Sequence, residues 1–397
     1  MKRFAIEVEA RPGAPLGMSP AKFLRDCWQE RPLLIRGAFP QFHNAISAND
    51  LAGLACEPGT LARLVRHALR GDRYRVRNGP FRPADFARLP RTHWTLLVQD
   101  VDKWDADVAA LLDAFAFLPA WRIDDVMVSY AVPGGGVGAH VDNYDVFLVQ
   151  GRGRRRWRID ANAHAAREWR EDAELRLLRR FTPTHDWVLE PGDTLYLPPG
   201  IAHEGTALDT CLTYSVGMRA PALAELLVDR AESVAEPLDE TVRYVDPQLR
   251  PARDRSEIDV AALRRVAAAL AELGATDPAR LRTWFGRFIT RYRSAHEALP
   301  RARPLAARQL GARLARATVV RNPFSRFAWA RAGRGAELFA AGDAWACSRA
   351  FARSLAARRE MAGADLLALA RRSDLDVLAA LVNAGHCAVV TQRRRRS

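Results

Sequence analysis

From about residue 73 to residue 219 the sequence pattern is mostly β, a series of short strand-forming runs separated by turns rich in glycine and proline. The candidate strands are Arg73 to Arg77, Trp94 to Gln99, Val126 to Val132, Val146 to Gln150, Arg155 to Ile159, Trp187 to Leu189, Thr194 to Leu197 and Cys211 to Val216. Pro133-Gly134-Gly135-Gly136, Gly151-Arg152-Gly153, Pro191-Gly192-Asp193 and Pro198-Pro199-Gly200 separate them. Many short strands punctuated in this way fit a sandwich or barrel.

The flanks read differently. Ser19-Pro20 can cap and open a helix with Phe23, Cys27 and Trp28 on its apolar face, and Arg31-Pro32 breaks it before a short strand, Leu33-Leu34-Ile35. At Arg219-Ala220-Pro221 the pattern turns helical and stays so to about residue 297. Asp259 to Leu273 carries an apolar stripe and stops at Gly274; Asp277 caps a second helix that has Pro278 in its first position. Arg301 to Pro304 reads as a linker. A helix (about 306 to 317), strands (about 318 to 340), helices (about 346 to 384) and a final strand (Cys387 to Thr391) follow, in the order of a winged-helix-like module. The fold class expected is α+β: a barrel over 1–220, a helical domain over 221–300 and a winged-helix-like domain with a basic tail over 301–397.

A chain of 397 residues suits two or three domains. No run approaches the roughly 18 apolar residues of a membrane span, so no membrane partner is expected. The start of the chain lacks the apolar core of a secretory signal. Cys27, Cys56, Cys211, Cys347 and Cys387 show no zinc-site spacing, which points to reduced thiols and a cytoplasmic protein. The net charge of +14 invites a polyanion partner, but only Lys2, Lys22 and Lys103 of the 60 basic residues are lysine. An arginine- and alanine-rich chain also follows from a GC-rich genome. A weak RNA contact through the basic surface and the tail Arg393 to Arg396 is the reading kept.

The chemistry is concentrated at His140, Asp142 and His203. Residues two apart on a strand face the same way, so His140 and Asp142 present an imidazole and a carboxylate together. A second imidazole completes the two-histidine, one-carboxylate set that holds iron(II) on one side and leaves positions open for an oxo-acid and dioxygen. The sequence supplies it at the end of Pro191 to His203: a hairpin, a strand, a proline-ended turn, and His203 at the head of the next strand. In Arg154-Arg155-Arg156-Trp157-Arg158-Ile159 the alternation sets Arg155, Trp157 and Ile159 inward, and the other three arginines outward and solvated. An inward guanidinium needs a partner, either a barrel carboxylate or the distal carboxylate of 2-oxoglutarate. Ser129 and Thr213 stand on neighbouring strands and can give hydroxyls to the same carboxylate. Tyr144 and Asp145 are candidates for substrate contact, Asp145 from the rim. His164 and His185 are expected at the surface, and His43, His67, His93, His296 and His386 show no partner pattern.

With these residues in place, the chain resembles the bacterial JmjC-type, cupin-fold ribosomal oxygenases. The likeness runs through Trp28 to Leu33, Pro133 to Trp157, Glu190 to Gly205 and Tyr214-Ser215-Val216-Gly217, and on in order into the terminal modules. The resemblance implies a double-stranded β-helix (jelly-roll) barrel and an iron(II)- and 2-oxoglutarate-dependent dioxygenase, with His140, Asp142 and His203 as ligands. It also implies Arg155 as the 2-oxoglutarate arginine, Ser129 as a site serine, a helical dimerisation region and hence a homodimer. The implied substrate is an arginine of large-subunit ribosomal protein L-sixteen. A histidine or another protein target, and a non-catalytic cupin that binds ribosome or RNA, stay open beside it. One departure stands out: Ala131 replaces a serine that relatives carry.

Overall fold

The structure, a computed structural model, describes residues 6–162, 167–246, 249, 258–274, 277–291 and 298–391. The chain divides into a first unit ending at Ala220 and a second beginning at Pro221. His164, His296 and the arginine tail lie outside the described residues.

The first unit has thirteen strands among the described residues: β1 Glu7–Glu9, β2 Leu33–Arg36, β3 Ala62–Ala68, β4 Arg73–Asn78, β5 Trp94–Val98, β6 Ile123–Ala131, β7 His140–Val141, β8 Val146–Arg152, β9 Arg155–Asp160, β10 His185–Leu189, β11 Thr194–Leu197, β12 Ala202–Ala207 and β13 Cys211–Met218. They pair into a large sheet, β1-β2-β11-β8-β13-β6-β5-β3-β4, and a small one, β10-β9-β12-β7. The eight strands β6 to β13 give four to each sheet, which is the double-stranded β-helix expected. β1 and β2 extend the large sheet at one edge, and β5, β3 and β4 at the other.

Alternation sorts the side chains. On β8, Phe147 and Val149 join Phe23, Val126, Val128 and Tyr214 in a core beneath the N-terminal helices. Val146 and Leu148 face the other way and pack with Leu34, Trp157, Ile159 and Leu195. Ser19 caps the first helix, Pro20–Asp26, by accepting from Lys22 N at 3.3 Å. The helix stops before Trp28, which stacks on Tyr196 instead. The sequence reading missed β1, β3 and the helices Ala48–Leu54, Val101–Trp104 and Ala106–Ala110. β1 and the helices are short, barely a strand or a turn each, whereas Leu61, just before β3, and Leu64, Val65 and Ala68 within its seven residues stand at a spacing that also suits a helix face.

The second unit opens with the helices Leu223–Ala235, Val260–Gly274, Pro278–Thr290 and Ala307–Leu314. Asp277 caps the third, accepting from Ala279 N at 3.2 Å and Arg280 N at 3.1 Å. Then come β14 Ala317–Arg321, β15 Phe327–Ala332, β16 Gly335–Ala340, β17 Asp343–Cys347, the helix Arg349–Ala357, β18 Glu360–Ala362, the helices Gly363–Leu369 and Arg372–Asn383, and β19 Cys387–Thr391. β15-β16-β17 form one sheet and β18-β14-β19 another, over a core of Leu314, Val319, Leu338, Phe351 and Leu378. The helix Pro278–Thr290 joins this body, since Arg282 and Thr283 bond Glu337 of β16. Among the described residues no helix is long and apolar enough to cross a membrane, and all five cysteines are free thiols.

Candidate metal centre

Strand register brings the two imidazoles together. β7 is only two residues long, and its pairing with β12 sets His140 directly opposite His203, so both side chains leave the same face. Their ring centroids are 4.2 Å apart. Asp142 follows β7, and its Oδ2 lies 3.9 Å from His140 Nε2 and 3.6 Å from His203 Nε2. One ligand atom from each residue falls within 4.8 Å of the others.

The donor chemistry fits a divalent metal. His140 Nδ1 lies 2.9 Å from Gly138 O, and His203 Nδ1 lies 3.0 Å from Ile201 O. A carbonyl accepts only from N–H, so each Nδ1 carries the proton and each Nε2 turns its lone pair to the centre. Burial, with His140 alongside, pushes the His203 pKa down to about 4, so its ring is neutral at physiological pH. His203 is buried, whereas His140 and Asp142 are partly exposed, which leaves the centre open on one side. Nitrogen and carboxylate donors with open positions suit non-haem iron(II).

Arg155 reaches the centre from β9. It is 4% exposed, and its inward neighbours Trp157 and Ile159 are buried as the alternation requires. Its Nη1 donates to Ser129 Oγ at 3.1 Å and Thr213 Oγ1 at 3.4 Å, and its Nη2 to Gly205 O at 3.2 Å. The guanidinium lies over the Trp157 ring, 4.8 Å from its centroid. Among the described residues it has no ion pair with an acid, and its Nε has no hydrogen-bond partner. Burial accordingly lowers its pKa. Among the described residues no barrel carboxylate neutralises it, so the charge calls for an external anion. Gly205 makes this arrangement possible, because a Cβ there would sit 2.7 Å from both Arg155 Nε and the Trp157 ring. Thr213 Oγ1 donates to Gln150 Oε1 at 3.0 Å, which leaves its lone pairs for Arg155; Gln150 was missed in the sequence. Ala131 packs with Ala207 and Cys211 in a small apolar cluster, so no polar contact arises at the departing position.

Two expectations need correction. Asp145 is neither at the rim nor available to a substrate: it is fully buried. Its carboxylate accepts from Tyr196 Oη at 2.6 Å, Gln29 Nε2 at 3.0 Å and Arg122 Nη2 at 3.2 Å. Parity did turn it away from Asp142, but into the core under the N-terminal helices. The outward arginines are also not merely solvated. Arg154 pairs with Asp209 at 3.0 Å, Arg156 with Asp186 and Arg158 with Glu204. Tyr144 is 42% exposed. Shielding of its hydroxyl, with Asp142 and Asp125 nearby, pushes its pKa up.

The acid that sequence reasoning missed is Asp125. Asp125, Met127 and Ser129 alternate along one face of β6, and Ser129 fixes that face as the one turned to Arg155. Burial and the neighbours Asp100, Asp124 and Asp102 push the Asp125 pKa up to about 7. The signal was present as strand parity, but Asp124-Asp125 reads as a solvated strand start without the partner strand.

A JmjC domain family model matches residues 110–226, and a ROXA-like winged helix model matches 269–388. The ribosomal protein uL16 3-hydroxylase of Escherichia coli (strain K12) is 41% identical over 271 residues, 68% of this chain and 71% of that protein. A probable ribosomal oxygenase of Haemophilus influenzae is 41% identical over 214 residues, 54% of this chain and 52% of that protein. The solved structure of the E. coli ribosomal oxygenase YcfD with cobalt and 2-oxoglutarate superposes with a TM-score of 0.81 at 36% identity, over 94% of this chain and 99% of that one.

Proposed function

The chain belongs to the JmjC-domain ribosomal oxygenases, and from that premise we propose that it hydroxylates an arginine side chain of ribosomal protein uL16 with iron(II), 2-oxoglutarate and dioxygen. The observation that carries the reading is the pairing of a three-donor metal set with a buried arginine that has no carboxylate partner of its own. When bound, iron(II) and 2-oxoglutarate supply the oxidising power that places one atom of dioxygen in an unactivated C–H bond, the oxo-acid leaving as succinate and carbon dioxide.

The chain's own residues bind and orient. His140, Asp142 and His203 would hold the iron, with the two carbonyl-bonded Nδ1 atoms keeping the rings in place. Arg155 would hold the far carboxylate of 2-oxoglutarate by charge and hydrogen bonding, steadied by Ser129, Thr213 and the Trp157 face. Asp125 offers a carboxylate on the same interior face, and Tyr144 an aromatic edge at the opening. A permanent guanidinium would ionise Asp125 fully and pair with it. This favours an arginine over a histidine as the target, since histidine is mostly neutral near pH 7.

We also assign residues 1–220 to the catalytic domain, 221–300 to a dimerisation region and 301–397 to the winged-helix domain, and place the protein in the cytoplasm. A homodimer is supported by the apolar surface of the helices Leu223–Ala235 and Val260–Gly274, where Leu223, Leu227, Val228, Leu263 and Leu270 are all exposed. The test incubates the protein with iron(II), 2-oxoglutarate and uL16 and looks for a gain of one oxygen atom on an arginine. Succinate without hydroxylated uL16 would indicate another target. No succinate, with RNA binding retained, would indicate a non-catalytic ribosome-binding protein.

A further inference from the structure

The positive charge of the chain is not spread evenly. Residues 1–297 hold 41 lysines and arginines against 40 acids, whereas residues 298–391 hold 15 arginines against six acids. A compositional bias of the genome would add arginine everywhere. In the first unit several exposed arginines are paired with acids, Arg154 with Asp209, Arg156 with Asp186 and Arg77 with Asp85, while others such as Arg66, Arg70 and Arg75 are balanced only by that unit's near-equal count of acids. The winged-helix body lacks that compensation along one edge.

The edge is built by named contacts. Arg331 and Arg334 are exposed at the tip of the β15–β16 hairpin, around Gly333. Arg349, at the start of the helix Arg349–Ala357, holds that tip by donating from Nε to Gly335 O at 3.0 Å and from Nη2 to Gly333 O. Hairpin and helix therefore present one continuous surface. Arg353 follows one turn later on the same helix face, and exposed Arg358 stands just past its end. From Arg349 to Arg353 the helix rises about 6 Å, and Arg358 lies past its end, outside the helical register. The helix itself contains no acid. Asp374, beneath its first turn, is buried and occupied by Ser348 N at 2.8 Å and by the Ser348 hydroxyl at 2.6 Å. Among the described residues Arg331, Arg334, Arg349 and Arg353 form no ion pair with an acid. On the outward helix face their neighbours are the exposed Ala350 and Ala357 and the half-buried Ser354, all small side chains.

We propose that the hairpin tip and helix Arg349–Ala357 form a docking edge for RNA backbone phosphates, which brings the enzyme to RNA-associated substrate independently of base sequence. Guanidinium groups without internal partners, on small side chains that let a backbone approach, suit phosphate contact rather than base readout. The choice of RNA as occupant rests on the proposed ribosomal substrate; the basic edge itself does not.

The test measures anisotropy of a fluorescein-labelled RNA hairpin with the full-length protein, from 50 to 200 mM salt. The triple variant Arg331→Ala, Arg334→Ala, Arg353→Ala keeps Arg349 and thus the hairpin anchor. Its affinity should fall at least about tenfold, with the slope of log affinity against log salt shallower by about three, one for each phosphate contact. Arg154→Ala, taken from an internally paired site, should change neither. No binding by the wild type at 50 mM salt, or a triple variant that binds like wild type, would overturn the proposal. So would tighter binding to duplex DNA of the same sequence, or binding to phosphatidylserine vesicles with the same loss in the variant. Hydroxylation of isolated uL16 should be unchanged in the triple variant. That readout fails only if the catalytic assignment fails, and so separates the two.

Discussion

The small sheet of the barrel carries His140, His203 and Arg155 on three neighbouring strands, whereas the large sheet faces them with Asp125, Ser129 and Thr213. The small-sheet groups converge through pairing register: His140 opposite His203 on β7 and β12, Arg155 opposite Ala207 on β9 and β12. The large-sheet groups are presented by alternation along the long strands β6 and β13. Register errors scatter ligands, while alternation errors only exchange one wall residue for another. Substitutions in the small sheet should therefore stop turnover or cofactor capture, and those in the large sheet should shift saturation.

The strongest challenge to this division is Asp142→Ala, which should reduce 2-oxoglutarate turnover to background while circular dichroism stays native. An active variant would remove Asp142 from the ligand set. Asp145→Ala probes the opposite outcome three residues away. Stranding the donors Tyr196, Gln29 and Arg122 should cost about 3 kcal/mol in urea unfolding, with the KM of the remaining folded fraction unaltered; a changed KM at native stability would break the contrast. Arg155→Ala should raise the KM for 2-oxoglutarate about a hundredfold, as truncation of one partner of a desolvated charge pair does, and leave the peptide KM near wild type. Asp125→Asn should act the other way round, raising the KM for a basic peptide about tenfold with 2-oxoglutarate unaffected.

The smallest effect is a pH dependence. The folded protein holds a proton on Asp125 up to about pH 7, well above the ordinary carboxylate range. A guanidinium pairs with the ionised form, so peptide affinity should rise as pH climbs through 7 and level off above it. The same raised pKa contributes stability below about pH 4 that is lost as pH rises through 7. In Asp125→Asn both trends should vanish, which peptide binding from pH 6 to 8 and urea unfolding from pH 4 to 8 would check.

The ligand set and the arginine were legible because they rest on local rules. Asp142 follows His140 by two residues, Arg155 alternates with Trp157, and a proline-ended turn precedes His203. Asp145 was misplaced because parity says only that it points away from Asp142. What lies on that side is Gln29 of the N-terminal segment, more than a hundred residues earlier, and Arg122 just ahead of β6. Asp125 went unnoticed for a related reason: its face is fixed by β13 and β9, neither adjacent in sequence. β1 and the short helices were lost because few residues define each, and β3 because its apolar spacing also suits a helix face, while the capped helix at Asp277 and the final strand from Cys387 carried enough signal to be seen.

β7 consists of His140 and Val141 alone, fastened to β12 at two residue pairs. Leu178 N to Ala139 O and Gly200 N to Asp142 O, each at 2.8 Å, are the backbone bonds that flank it, and an ion shared by His140, Asp142 and His203 would be a rivet through that short seam. Amide exchange around residues 138–144 should then slow on loading with a redox-inert substitute such as cobalt or zinc, while the long strands of the large sheet stay unaffected. Cofactor occupancy would thus set the local stiffness of the wall through which a substrate must enter.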